Sequence, residues 1–141
     1  MVLNSVKSEY EQMARALTRD FDAAWDARDV ARFTSHFTEN GDMHFHTMNM
    51  HMRGRDEIAR TYTKIFSELD PGVKHRTTIN EMHVITDDVM LLDATTDIVK
   101  TGAQGQEVIL RRHTGASIAV KTHAGWRLRA LRIWSESIAA E

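Results

Sequence analysis

The triplet Asp70-Pro71-Gly72 divides the chain into two stretches that obey different rules. Before it, apolar residues recur at helical spacing; after it, from Val73 on, the chain reads as strands. Pro71 is the only proline among the 141 residues, and a Pro-Gly pair both stops a helix and turns the chain. Helices first and a long sheet last is the α+β pattern.

In the first stretch a helix over about residues 5–27 carries Val6, Tyr10, Met13, Leu17, Phe21 and Trp25 on one stripe, with Asn4 or Ser5 as its cap. Asp29 can cap a second helix over about residues 29–37, whose apolar positions are Val30, Phe33 and Phe37. Glu39-Asn40-Gly41 breaks that pattern, and Met43-His44-Phe45-His46 alternates as a strand over about residues 42–47. The irregular connection Met48-Asn49-Met50 leads to a short strand around His51–Arg53. Gly54-Arg55-Asp56 then opens a third helix with Ile58, Tyr62, Ile65, Phe66 and Leu69 inside. In the second stretch, strands are expected over about residues 75–86, 89–100, 107–121 and 126–136. Turns at Asp87-Asp88, Gly102–Gly105 and His123-Ala124-Gly125 join them into an antiparallel meander.

A length of 141 residues suffices for one core and is too short for two, so residues 1–141 are expected to form a single domain. Apolar residues at 42% and charged residues at 27% describe an ordinary globular chain. A net charge of -2 gives no global reason to expect nucleic acid or an anionic membrane as partner. Neither a membrane-spanning apolar run nor an amino-terminal signal is present, so a cytoplasmic location is expected. The absence of cysteine excludes disulfides, thiol nucleophiles and thiolate metal sites. No glycine motif for phosphate is seen, and no cofactor is expected.

Several short motifs together resemble one superfamily. They are Trp25-Asp26-Ala27-Arg28-Asp29, Phe37 to Asn40, Gly54 to Ile58, and the late Gly125-Trp126-Arg127-Leu128. Their order is similar to the NTF2-like, or SnoaL-like, superfamily, nearest to its SgcJ/EcaC-like group. The resemblance implies a cystatin-like cone: three helices across a strongly curved, mostly antiparallel sheet, with a blind cavity between, often in a homodimer. The motifs mark turns, caps and core aromatics, so they identify the cone and not a reaction. The stretch from Phe21 to Phe45 also looks like the matching part of ketosteroid isomerase, but the acid–base groups differ. Phe21 stands where that enzyme has its oxyanion-hole tyrosine and Phe45 where it has its proton-shuttling aspartate, and no carboxylate lies near Ala116–Ile118 for its second acid. From Val108 to Ser135 there is no Asp or Glu at all, which also removes the late carboxylates of epoxide-hydrolase and SnoaL-type cyclase members.

Within such a cavity the expected lining is Phe21, Trp25, Phe45 and Trp134, with Arg112 and Arg132 as polar groups. Strand parity places both arginines on faces that otherwise read as buried: Val108, Leu110, Ala116, Ile118 and Val120 with Arg112, and Trp126, Leu128, Ala130 and Trp134 with Arg132. A guanidinium there would suit a carboxylate, enolate or phenolate. The competing reading pairs these arginines with Glu81, Asp93 or Asp97. Proton transfer, lacking a carboxylate, falls to a histidine, with His113 or His83 the candidates. His44, His46 and His51 form a second possibility, a neutral-imidazole metal site. Met43, Met48, Met50 and Met52 read as packing residues rather than copper ligands. The expected function is a cavity protein for a small, largely apolar ligand. It would be an accessory enzyme of cyclase, isomerase or dehydratase type, or a carrier, in secondary metabolism such as antibiotic biosynthesis. The alternatives are a non-catalytic dimerisation scaffold and a histidine metal protein.

Overall fold

The computed structural model describes residues 2–136, with side chains from residue 8 onward; the expected roles of Asn4, Ser5 and Val6 lie outside those side chains. Helix α1 spans Val2–Asp26. It buries Ala14, Ala24 and Trp25 because these fall on one stripe of the helix. Arg28, in the left-handed region at φ 57°, turns the chain sharply. Asp29 then caps α2 (Val30–Thr34), accepting from the Arg32 N–H at 3.0 Å. This second helix is shorter than expected, and Phe37 already opens strand β1 (Phe37–Phe45). Glu39-Asn40-Gly41 is therefore an irregularity inside β1 rather than a break before it. Gly41 makes that bend possible: a Cβ there would lie 2.9 Å from both Phe37 Cβ and Thr38 O.

Strand β2 (Met50–Arg53) pairs antiparallel with β1, and α3 (Arg55–Glu68) follows. Gly54 precedes α3 at φ 89°, a conformation that favours glycine. Strands β3 (Lys74–Thr86), β4 (Val89–Thr101), β5 (Glu107–Thr122) and β6 (Gly125–Glu136) form the expected meander. The sheet order is β2-β1-β6-β5-β4-β3, antiparallel throughout except for the parallel β1–β6 pair, so the sheet is mixed.

Four unpaired residues bend this sheet. Asn80 is extra between Ile79 and Glu81, Ile85 between Val84 and Thr86 near the end of β3, Leu110 between Ile109 and Arg111, and Arg129 between Leu128 and Ala130. Each bulge kinks its strand and increases the local twist, so the sheet curls around the helices without closing. One core cluster joins Phe33, Ile58, Tyr62 and Phe66 of the helical side to Phe37, Met43, Met90, Leu92 and Leu128 of the sheet. Among the described residues no helix is long and apolar enough to cross a membrane.

Candidate functional site

Between the helices and the concave face of the sheet lies a cavity of about 540 Å3. Cross-strand pairing orders its floor into rows. His75, Ile98 and Arg111 form one row, and Thr77, Thr96 and His113 the next. Beyond these come Ile79, Ala94, Gly115 and Ile133. All of these residues line the cavity, so one end of it is polar and the other apolar.

At the polar end, α1 presents Asp22 and Asp26 one turn apart, on the side that meets β3. Asp22 accepts from His75 Nδ1 at 2.6 Å, from the Thr77 N–H at 2.8 Å and from the Thr77 hydroxyl at 2.7 Å. Asp26 accepts from the His75 N–H at 2.8 Å. An ionised carboxylate can only accept, so His75 donates from Nδ1, which leaves Nε2 as the ring nitrogen without a partner among the described residues. The ring is held against Trp25, centroids 4.8 Å apart, and near Phe21 at 6.0 Å.

His113 shares the same polar end. Its ring meets the Phe45 ring edge-on at 4.8 Å, and its Nδ1 lies 3.0 Å from Ser135 Oγ. Burial first, then His75 and Arg111, push its imidazole down to about 4, so it is neutral at physiological pH. Tyr62 also lines the cavity. Burial pushes its phenol up, keeping the proton on the oxygen.

Phe21, Trp25 and Phe45 thus line the cavity, while Arg112, Arg132 and Trp134 lie on the opposite face of the sheet. The parity reading needs correcting for two physical reasons. The Arg129 bulge reverses β6, so Trp126 and Leu128 face inward, but beyond the bulge Leu131 and Ile133 do so in place of Arg132 and Trp134. On β5 the apolar residues Ile118 and Val120 occupy the outer face, and Arg111, His113 and Ser117 occupy the inner one. Arg112 forms a two-pronged ion pair with Asp97, at 2.7 and 3.1 Å, which matches one of the pairings weighed for it. Arg132 Nη1 donates to Asp42 Oδ1 at 2.9 Å.

The three histidines of the metal reading are stacked on that outer face. His44 lies 3.7 Å from His46 and 4.3 Å from His51, centroid to centroid, and His46 stacks on Trp134 at 4.6 Å. A metal ion sits in the plane of each imidazole it binds, and face-stacked rings point their lone pairs in parallel rather than at one point. His51 Nε2 is also engaged by Asp42 at 2.7 Å. His83 pairs with Glu81 in solvent at 3.2 Å, away from the cavity. With Asp93 these two place ligand atoms within 4.8 Å of one another, an exposed grouping open to water. Met43 and Met52 are buried, and Met43, Met48 and Met50 line the cavity.

Sequence reasoning missed His75, its partner Asp22, and Arg111. A signal for His75 was present: it shares strand parity with Thr77 and Ile79, and Asp22 lies beside Phe21 on α1.

The model of the SnoaL-like domain matches residues 14–133. No curated protein matches the sequence. Among solved structures, an NTF2-like protein with a cystatin-like fold from Novosphingobium aromaticivorans is similar, with TM-score 0.78 and 17% identity over 99% of this chain and 90% of that one. A protein described as a candidate scytalone dehydratase from the same organism superposes with TM-score 0.78 and 11% identity, over 95% of this chain and 89% of its own. A ketosteroid isomerase-like protein from Erwinia carotovora atroseptica gives TM-score 0.70 and 18% identity, over 90% and 96% respectively. At these identities the superpositions establish the fold alone.

Proposed function

Because the chain belongs to the SnoaL-like family, we propose that its cavity is a general acid–base site acting on a small carbonyl compound, of isomerase or dehydratase type. The observation that carries this reading is the Asp22–His75 pair on the cavity wall, with the neutral His113 at the same end. His75 Nε2 removes a proton from the carbon α to the carbonyl, and the electron pair moves toward the carbonyl oxygen. His113 and the Tyr62 phenol donate hydrogen bonds to that oxygen as charge develops. The proton then returns from His75 to a departing hydroxyl, releasing water, or to another carbon, moving a double bond. Asp22 fixes the tautomer and stabilises the imidazolium between the two transfers. This division of labour replaces the carboxylate base and acid that the sequence lacks. Two of the similar structures carry names of these reaction types, which supports the class of chemistry. An accessory role in secondary metabolism belongs to the same proposal and rests on the family alone.

The test is deuterium exchange at the α-carbon of 2-tetralone in D2O, followed by NMR. Wild type is expected to accelerate exchange over buffer, His75→Gln to abolish the acceleration, and His113→Gln to weaken it. A ketone that binds the cavity yet exchanges no faster than in buffer would leave a carrier or scaffold, not an enzyme.

We also propose a homodimer formed through the outer face of the sheet. Trp134, 47% exposed, supports this, together with the half-buried Ile118 and Val120 farther along β5 on the same face. A large aromatic surface left open to solvent is what a second copy would cover.

A further inference from the structure

Arg111 is the only lysine or arginine among the described residues lining the cavity. The other arginines near it in sequence or in the sheet are engaged: Arg112 by Asp97, Arg132 by Asp42, and Arg129 by the Asn40 carbonyl. Arg111 has neither a carboxylate nor a hydrogen-bond acceptor among the described residues. A planar fork of donors that stays charged, placed at the rim of a mostly apolar cavity, lacks only an anion.

The strand register says where that anion would sit. Arg111 precedes His113 by two residues on the same face of β5, and its row also holds His75 at the other side of the floor. Two residues of strand span roughly 7 Å, about the reach of one ring bearing an acid group. Beyond the two polar rows the floor turns apolar, with Ile79, Ala94 and Ile133. A ligand matching this order has an acid group at one end, a reactive carbon next to it and a hydrocarbon body beyond.

The charges that oppose this reading are Glu68 and Asp70, which line the same cavity from the end of α3 and the turn after it. Asp70 is partly neutralised by Lys100, 3.7 Å away, whereas Glu68 has no such partner among the described residues. An anion seated on Arg111 gains the guanidinium's two parallel hydrogen bonds. Glu68 and Arg111 are both exposed, so the difference lies in the guanidinium's planar fork and in its place on the same strand face as His113. The proximity of Arg111 to the reacting groups is visible in His113, which the guanidinium helps to keep neutral.

We propose that Arg111 selects a small organic acid, a cyclic ketone that also bears a carboxylate, docking its carboxylate at the cavity rim so that the ketone and its α-carbon lie between His75 and His113. This rests on the acid–base reading of the cavity and adds the substrate class to it. The sequence pointed to an arginine for this purpose but placed it on the wrong residues, Arg112 and Arg132.

Three probes of equal size and different charge test it by calorimetry: 2-naphthoate, 2-naphthamide and 2-naphthylmethylammonium. Wild type is expected to bind the carboxylate about tenfold more tightly than the amide. Arg111→Gln should erase that preference while retaining the amide's affinity. Arg112→Gln, one residue along the same strand on the outer face, should keep the preference. A carboxylate bound no better than the amide, or a preference surviving in Arg111→Gln, overturns the proposal. The ammonium binding tightest would also overturn it and assign the rim to Glu68. These outcomes leave the exchange assay with 2-tetralone untouched, so losing the acid specificity and losing the acid–base chemistry read out separately. If none of the probes binds, the open cavity itself is refuted, and Arg111 falls with it.

Discussion

Asp22 illustrates how one side chain serves both fold and site. Its carboxylate ties α1 to β3 through Thr77 and, with its remaining capacity, orients His75. His113 shows the cost of placing an imidazole in such surroundings. In the unfolded chain it titrates near 6.5, whereas in the fold it is pushed down to about 4. Between those values the unfolded chain binds a proton that the folded chain does not. Stability is therefore fully present above about pH 6.5 and is lost as the pH falls toward about 4. His44, lowered by desolvation and by His46 and His51, adds to the same slope. The readout is accordingly a difference between two proteins. Urea midpoints measured from pH 7 to pH 4 should fall less steeply for His113→Gln than for wild type. Equal slopes would mean that His113 is not held neutral by the fold.

At the scale of the element, bulges decide which residues meet the ligand. Turn chemistry made the strand ends legible: Asp70-Pro71-Gly72, Asp87-Asp88 and His123-Ala124-Gly125 all lie where the structure turns. Parity was less legible, because one extra residue reverses every side chain beyond it, and Arg129 carries no mark in sequence that distinguishes it from a regular strand residue. The apolar outer face of β5 compounded the error, since Ile118 and Val120 read as core when only one sheet is in view. The outer face, with Trp134 at one end and Ile118 and Val120 farther along β5, is the surface assigned to a second copy of the chain. Light scattering after size exclusion should give a dimer for wild type and a monomer for Trp134→Asp, with helical content unchanged. A dimer that survives this charge would place the interface elsewhere.

Across the whole molecule, the curved sheet and its helices were readable because they follow from periodicity and from one decisive stop signal. The cone was readable too, from motifs that shape its turns. The site was only half readable: Phe21, Trp25 and Phe45 line the cavity, but its polar end comes from α1, β3 and β5 meeting across more than eighty residues of chain, from Asp22 to His113. Such a meeting leaves no local pattern. Its consequence is a pocket with two imidazoles in different surroundings, one donating from Nδ1 to a carboxylate and one kept neutral by burial. Nitrogen-15 NMR of the histidine side chains, titrated with pH and with 2-tetralone, tests that directly. His75 should carry a proton on Nδ1, His113 should still be largely neutral at about pH 5, being pushed down to about 4, and both should shift when the ketone is added while His51 on the outer face does not. A His113 that titrates near the ordinary value of about 6.5, with neither ring responding to the ketone, would contradict the account.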